Sequence, residues 1–97
     1  MSKLSTDLKN TGSRPYFLWD EERTVGEFRK SLEQASPEEW ARLVGKLMRE
    51  AKDTDVWEFV SPQQVWRNWS LIKPYLGRRA GFWNYLLTSW RDDGYLV

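Results

Sequence analysis

Ser36-Pro37-Glu38-Glu39-Trp40-Ala41-Arg42-Leu43-Val44-Gly45-Lys46-Leu47-Met48-Arg49-Glu50-Ala51 is the stretch whose reading decides the fold. Serine is a preferred N-cap, proline is already set for a first helical turn, and glutamates there favour the positive end of the helix dipole. Trp40, Leu43, Val44, Leu47, Met48 and Ala51 then recur at spacings of three and four, one apolar stripe along a helix.

Similar signals extend in both directions. Upstream, Thr24 reads as an N-cap with Glu27 as its capping-box partner, and Val25, Phe28 and Leu32 carry a short helix to Gln34. Downstream, Asp53 or Thr54 can cap a short helix holding Val56, Trp57, Phe59 and Val60. Ser61-Pro62-Gln63-Gln64 opens the next, with Val65, Trp66, Trp69 and Ile72, and Pro74 and Gly77 break the chain after it. The last helix carries Phe82, Trp83, Leu86, Leu87 and Trp90 on its apolar stripe and stops at Asp92-Asp93-Gly94. The two Ser-Pro starts could suggest a repeat, but two copies cannot be distinguished from two good helix starts, which is the reading kept.

The expected fold is therefore all-α, a small bundle of four or five short helices. An extended aromatic segment, Tyr16-Phe17-Leu18-Trp19, lies packed on it, either as a cover for the bundle's open end or as a binding edge. Asp20 would accept hydrogen bonds from a helix start or an arginine. Residues 1–13 are polar and read as a flexible tail with nothing to bury, and residues 14–97 as a single helical domain. Seven tryptophans, four tyrosines and four phenylalanines are many for 97 residues, and large rings fill a small core with few side chains. Most are expected inside, with one or two left outside as interface anchors.

Composition also narrows the chemistry. The chain has no cysteine, which excludes disulfides, thiolate nucleophiles and zinc–thiolate sites, and no histidine, the commonest general base and metal ligand. Acids stand together at Glu21-Glu22, Glu38-Glu39, Asp53 with Asp55, and Asp92-Asp93. Neighbours on a helix point about 100° apart, so such pairs do not converge by themselves, and caps and solvated faces explain them. No glycine-rich phosphate loop is present. The expectation is a non-enzymatic protein with no catalytic residue, metal or cofactor. The uncharged run from Ala80 to Trp90 is too short to cross a bilayer, and the polar first residues lack a signal peptide's apolar segment; no membrane partner and a cytoplasmic home are expected.

Charge is distributed unevenly. Residues 20–58 hold eleven acids and seven bases, whereas residues 59–91 hold no acid and five bases, Arg67, Lys73, Arg78, Arg79 and Arg91. Arg67, Lys73, Arg78 and Arg79, with nearby rings, are the candidate partner-binding residues. They could face an acidic protein surface, with arginine and tryptophan as hot spots, or follow a phosphate backbone while rings stack on bases. They could also pair with the acidic half inside the domain. A protein partner is the first expectation and nucleic acid the alternative, while a homodimer would be one way to cover surplus aromatic surface. A helix-turn-helix reading fits poorly, because the linker Lys73-Pro74-Tyr75-Leu76-Gly77 is long and the last helix offers few polar contacts.

Pro15-Tyr16-Phe17-Leu18-Trp19-Asp20, followed by Ala51-Lys52-Asp53-Thr54-Asp55-Val56-Trp57 and the capped start Ser61-Pro62, resembles an uncharacterised family of short bacterial helical proteins. Those open with a Pro-Tyr-Phe-x-Trp-Asp strip, and the resemblance spans residues 15–90. It implies a small helical bundle with an antitoxin-like or accessory role beside a partner protein, and it assigns no site residues.

Overall fold

The computed structural model describes residues 3–96; residues 1, 2 and 97 lie outside the described part. Among the described residues are six α-helices: α1 (Val25–Gln34), α2 (Pro37–Glu50), α3 (Asp53–Val56), α4 (Pro62–Arg67), α5 (Trp69–Ile72) and α6 (Ala80–Asp92). Three 3-10 turns, Tyr16–Leu18, Lys73–Tyr75 and Gly77–Arg79, join them, with a strand fragment in which β1 (Leu4–Ser5) runs parallel to β2 (Arg14–Pro15). The all-α bundle is as expected. No helix among the described residues is long and apolar enough to cross a membrane.

The helix starts follow local rules. Thr24 accepts from Glu27 N while Glu27 bonds back to the Thr24 backbone, and Ser61 with Gln64 repeats the arrangement. Ser36 accepts from Glu39 N with Pro37 in the first turn. α3 differs from expectation: Lys52 stands at its N-cap without a side-chain bond, and Asp53 lies inside the first turn. The helix opened by Ser61 also ends early, so one expected helix becomes α4 and α5. At Asn68 (φ −111°, ψ 20°) the side-chain amide donates to the Gln64 carbonyl at 2.8 Å, offering the backbone a local alternative to the helix ladder.

α2 is the axle of the bundle. Ala41, Leu43, Val44, Leu47 and Met48 are buried, and α1, α3, α5 and all three 3-10 turns pack around it. Phe17, Phe28 and Phe59 meet edge to face at 5.3–5.4 Å, tying the N-terminal strip to α1 and to the turn after α3. A second cluster sets Trp57 against Trp83 at 5.7 Å and Trp90 at 5.8 Å. Trp83 is fully buried and donates its indole N–H to the Met48 carbonyl at 2.9 Å.

The aromatic strip is wound rather than extended. Tyr16–Leu18 is a 3-10 turn that buries Phe17 and Leu18 and leaves Trp19 60% exposed. Buried Arg14 holds this geometry by donating to the carbonyls of Glu21 (2.7 Å) and Trp19 (2.9 Å). Asp20 finds a lysine instead of the expected helix start or arginine. Lys46 Nζ lies 2.7 Å from both Asp20 and Glu21, which stand beyond the turn. Burial alone would pull Lys46 down, but the two carboxylates outweigh it and raise its pKa, while Lys46 lowers that of Asp20.

Tyr16 fastens the strip to α3, donating to Asp55 Oδ2 at 2.5 Å and accepting from Lys52 N at 2.8 Å. Burial first, and the Asp55 carboxylate second, push the phenol up to about 12 from its ordinary 10.0. A folded pKa above the unfolded one means the contribution is whole below pH 10 and is lost as pH rises toward 12. Unfolding titrations across that window should show a stability loss that Tyr16→Phe removes.

The tail expectation is corrected for residues 3–13. Leu8 is buried in the core, and the segment supplies carbonyls to the start of α1, with Val25 N donating to Ser13 O (2.8 Å) and Gly26 N to Thr11 O (2.9 Å). These are N–H groups that a helix start leaves open. Gly26 makes the approach workable, since a Cβ there would lie 3.1 Å from the Thr11 carbonyl oxygen.

Candidate interaction surface

α6 ends as its sequence suggests. Gly94 adopts φ +86°, and Tyr95 N returns to the Trp90 carbonyl at 2.8 Å, closing the C-terminus as glycine alone does readily. Its apolar stripe is narrower than expected. Trp83 and Leu87 are buried, Leu86 and Trp90 are half-buried, and Phe82 stands 42% exposed. Two adjacent rings sit about 100° apart on a helix, so only one of Phe82 and Trp83 can point at α2.

Lys73, Arg78 and Arg79 come together within seven residues, on the two 3-10 turns either side of buried Leu76. Gly77, at φ +54°, turns the chain between them. Arg67 closes α4 beside Trp66, and the Trp66 ring lies 5.6 Å from the Arg91 guanidinium at the far end of α6. Arg91 follows Arg79 by twelve residues, about 18 Å along the helix.

Arg67, Lys73 and Arg78 are exposed, and among the described residues their side chains make no hydrogen bond, ion pair or ring contact. The Arg79 guanidinium lies over Phe82 at 5.1 Å and Trp83 at 5.8 Å, with no acid beside it. Pairing of these four cations with the acidic half does not occur, and the ion pairs of that half are made with other cations. Arg23 meets Glu21 (3.1 Å), Lys46 meets Asp20 and Glu21, Arg42 meets Glu39, and Arg49 reaches Glu50 (3.7 Å). Arg91 is paired locally with Asp92 at 3.0 Å.

Apolar groups share this part of the surface. Leu71, Tyr75, Phe82 and Tyr85 are exposed, Tyr85 to 71%. Tyr75 is anchored by its backbone, whose carbonyl accepts from Arg49 at 2.8 Å. Sequence reasoning found the cations from their lack of acidic neighbours but gave no sign that Phe82 and Tyr85 would stand beside them.

A groove of about 440 Å³ lies between Pro62, Gln63, Trp90, Tyr95 and Leu96 and holds no carboxylate or amine side chain. Two smaller ones carry charge, one of about 200 Å³ lined by Arg29 and Glu33 and one of about 170 Å³ lined by Asp7, Lys9, Asp55 and Glu58. Among the described residues no three acids gather in a way that could hold a metal ion. Comparison with known protein families, with curated proteins and with solved structures finds no match for this chain.

Proposed function

We propose that this chain is a non-enzymatic interaction module that holds an acidic surface of a partner protein through Arg67, Lys73, Arg78 and Arg79. The observation that carries this reading is a set of cations without acidic partners, standing beside exposed rings, in a run of residues 59–91 that holds no acid. Arginine beside an exposed aromatic is the composition of interface hot spots. The lack of thiol and imidazole supports a role without catalysis. We attach to it the antitoxin-like or accessory setting that the family resemblance implies, and a bacterial cytoplasm as its place.

Nucleic acid is the less favoured occupant. The ring of Phe82 is covered by Arg79 where a base would stack. Two 3-10 turns separate α5 from α6, so the compact turn of a helix-turn-helix is also missing.

Charge reversal at Arg78 and Arg79 tests the reading. Isolated from its native host, the chain should bring down a stoichiometric acidic protein. Arg78→Glu with Arg79→Glu should weaken that complex by roughly 30-fold or more, about 2 kcal/mol, with an unchanged unfolding midpoint. Retained binding would sink the proposal. An oligonucleotide held instead, with affinity falling by orders of magnitude between about 50 and 200 mM salt, would transfer the surface to nucleic acid.

A further inference from the structure

We infer that Ser70 is a phosphorylation site, and that Arg67 and Lys73 hold the phosphoryl group once it is in place and so release the acidic partner; the release rests on the interaction reading above. Among the described residues, the other aliphatic hydroxyls are committed or badly placed. Thr24, Ser36 and Ser61 cap helices, and Ser5, Ser13 and Thr88 bond to nearby main chain. Ser31 and Ser89 are half-buried. Thr6, Thr11, Thr54 and Ser70 are exposed, and their side chains make no hydrogen bond. Thr6 shares a groove with Asp7, Asp55 and Glu58, and Thr54 stands between Asp53 and Asp55, where a phosphate would be repelled. Thr11 comes three residues before Arg14, whose guanidinium already serves two carbonyls.

Ser70 has cations on both sides instead. Arg67 comes three residues before it and Lys73 three after; all three side chains are exposed, and neither cation has a partner. Val65 and Ile72 are buried, and Arg67 and Ser70, each two helical positions from one of them, point about 200° away from the core. Lys73 follows Ser70 through continuous helical turns, where residues three apart are neighbours. α5 itself is four residues long, between the break at Asn68 and Pro74, and a helix so short has little stability of its own to hold the hydroxyl back from an enzyme. The phosphoryl donor is a nucleoside triphosphate bound to a separate phosphotransferase whose acidic cleft reads the two cations. Ser70 Oγ attacks the terminal phosphorus, and its proton passes to a carboxylate of that enzyme. The bond from this phosphorus to the bridging oxygen breaks, and the nucleoside diphosphate leaves. The phosphoserine carries about two negative charges at neutral pH and strong acceptor oxygens, which Arg67 and Lys73 are placed to meet. Two of the four cations of the partner face are thereby neutralised.

The test begins with the intact chain recovered from its native host, growing and starved, and mapped by fragmentation mass spectrometry. The expected result is a phosphoryl group on Ser70. Its absence in both states, or its presence on other residues alone, overturns the site. The chain phosphorylated at Ser70 then tests the cradle. Phosphorus NMR should place the second ionisation of the phosphate below its ordinary value of about 6, and Arg67→Ala with Lys73→Ala should restore that value. Ionisation at the ordinary value in the parent overturns the cradle. For the release, the probe is a polyglutamate peptide, whose binding should weaken about tenfold on phosphorylation while Ser70→Ala binds it as the parent does. Equal binding before and after phosphorylation overturns the release. An unphosphorylated chain that ignores polyglutamate removes the acidic-partner reading and the release together, whereas the mapped phosphoryl group and its lowered ionisation would still uphold the site.

Discussion

Trp83→Ala is expected to lower the unfolding free energy by about 3–5 kcal/mol, the range for emptying a buried large aromatic site. Domains of this size have about 5–15 kcal/mol in total, so the variant would stand near the edge of folding. Two losses combine. The indole fills the space between α2 and α6 and meets Trp57 edge to face at 5.7 Å. Its N–H also satisfies the Met48 carbonyl, in the last turn of α2, where a helix leaves carbonyls without intrahelical partners. Trp83→Phe separates the two: it keeps most of the packing but strands that carbonyl, at about 1–3 kcal/mol. Urea unfolding followed by far-ultraviolet circular dichroism measures both. A loss below about 1 kcal/mol for the alanine variant would show that the ring is not the keystone described here.

Gly45→Ala should also destabilise the protein, against the ordinary trend for helices. Alanine in a helix interior gains about 1 kcal/mol over glycine. Here, however, an added Cβ would lie 2.4 Å from Tyr75 Cβ and 3.6 Å from Tyr75 Cα. Those atoms cannot swing aside as the end of a long side chain would, so backbone must move. Overpacking of this kind typically costs about 1–3 kcal/mol, which exceeds the propensity gain over most of its range. The movement falls on Lys73–Tyr75, so partner binding should weaken along with stability. An unfolding midpoint above that of the parent would mean the turn yields freely, and the close approach of α2 to Tyr75 would then carry no energetic weight.

Helix starts were legible because their signals are local. Thr24 with Glu27, Ser36 with Pro37, and Ser61 with Gln64 each satisfy backbone donors within one turn, so a few letters suffice. What depended on distant contacts was not. Nothing near Asn68 shows that its amide would take the Gln64 carbonyl and divide a helix. Tyr16–Leu18 winds because Arg14 gathers the carbonyls of Trp19 and Glu21, an arrangement invisible in an apolar run. The choice of Trp83 over Phe82 for the interior was undecidable from spacing, since neighbours at that position both fit the stripe. For the interaction surface, the lack of acids from residue 59 to residue 91 pointed to the cations.

The segment of residues 3–13 carries a different kind of information. It serves the fold through the main-chain oxygens of Thr11 and Ser13, which any amino acid possesses, and through Leu8 as its one core side chain among the described residues. Selection on such a segment acts on shape and hardly on spelling. Relatives should therefore keep an aliphatic residue at position 8 and glycine at position 26 while the letters between drift, so an aligner would mark as dispensable a piece that the helix beneath it needs.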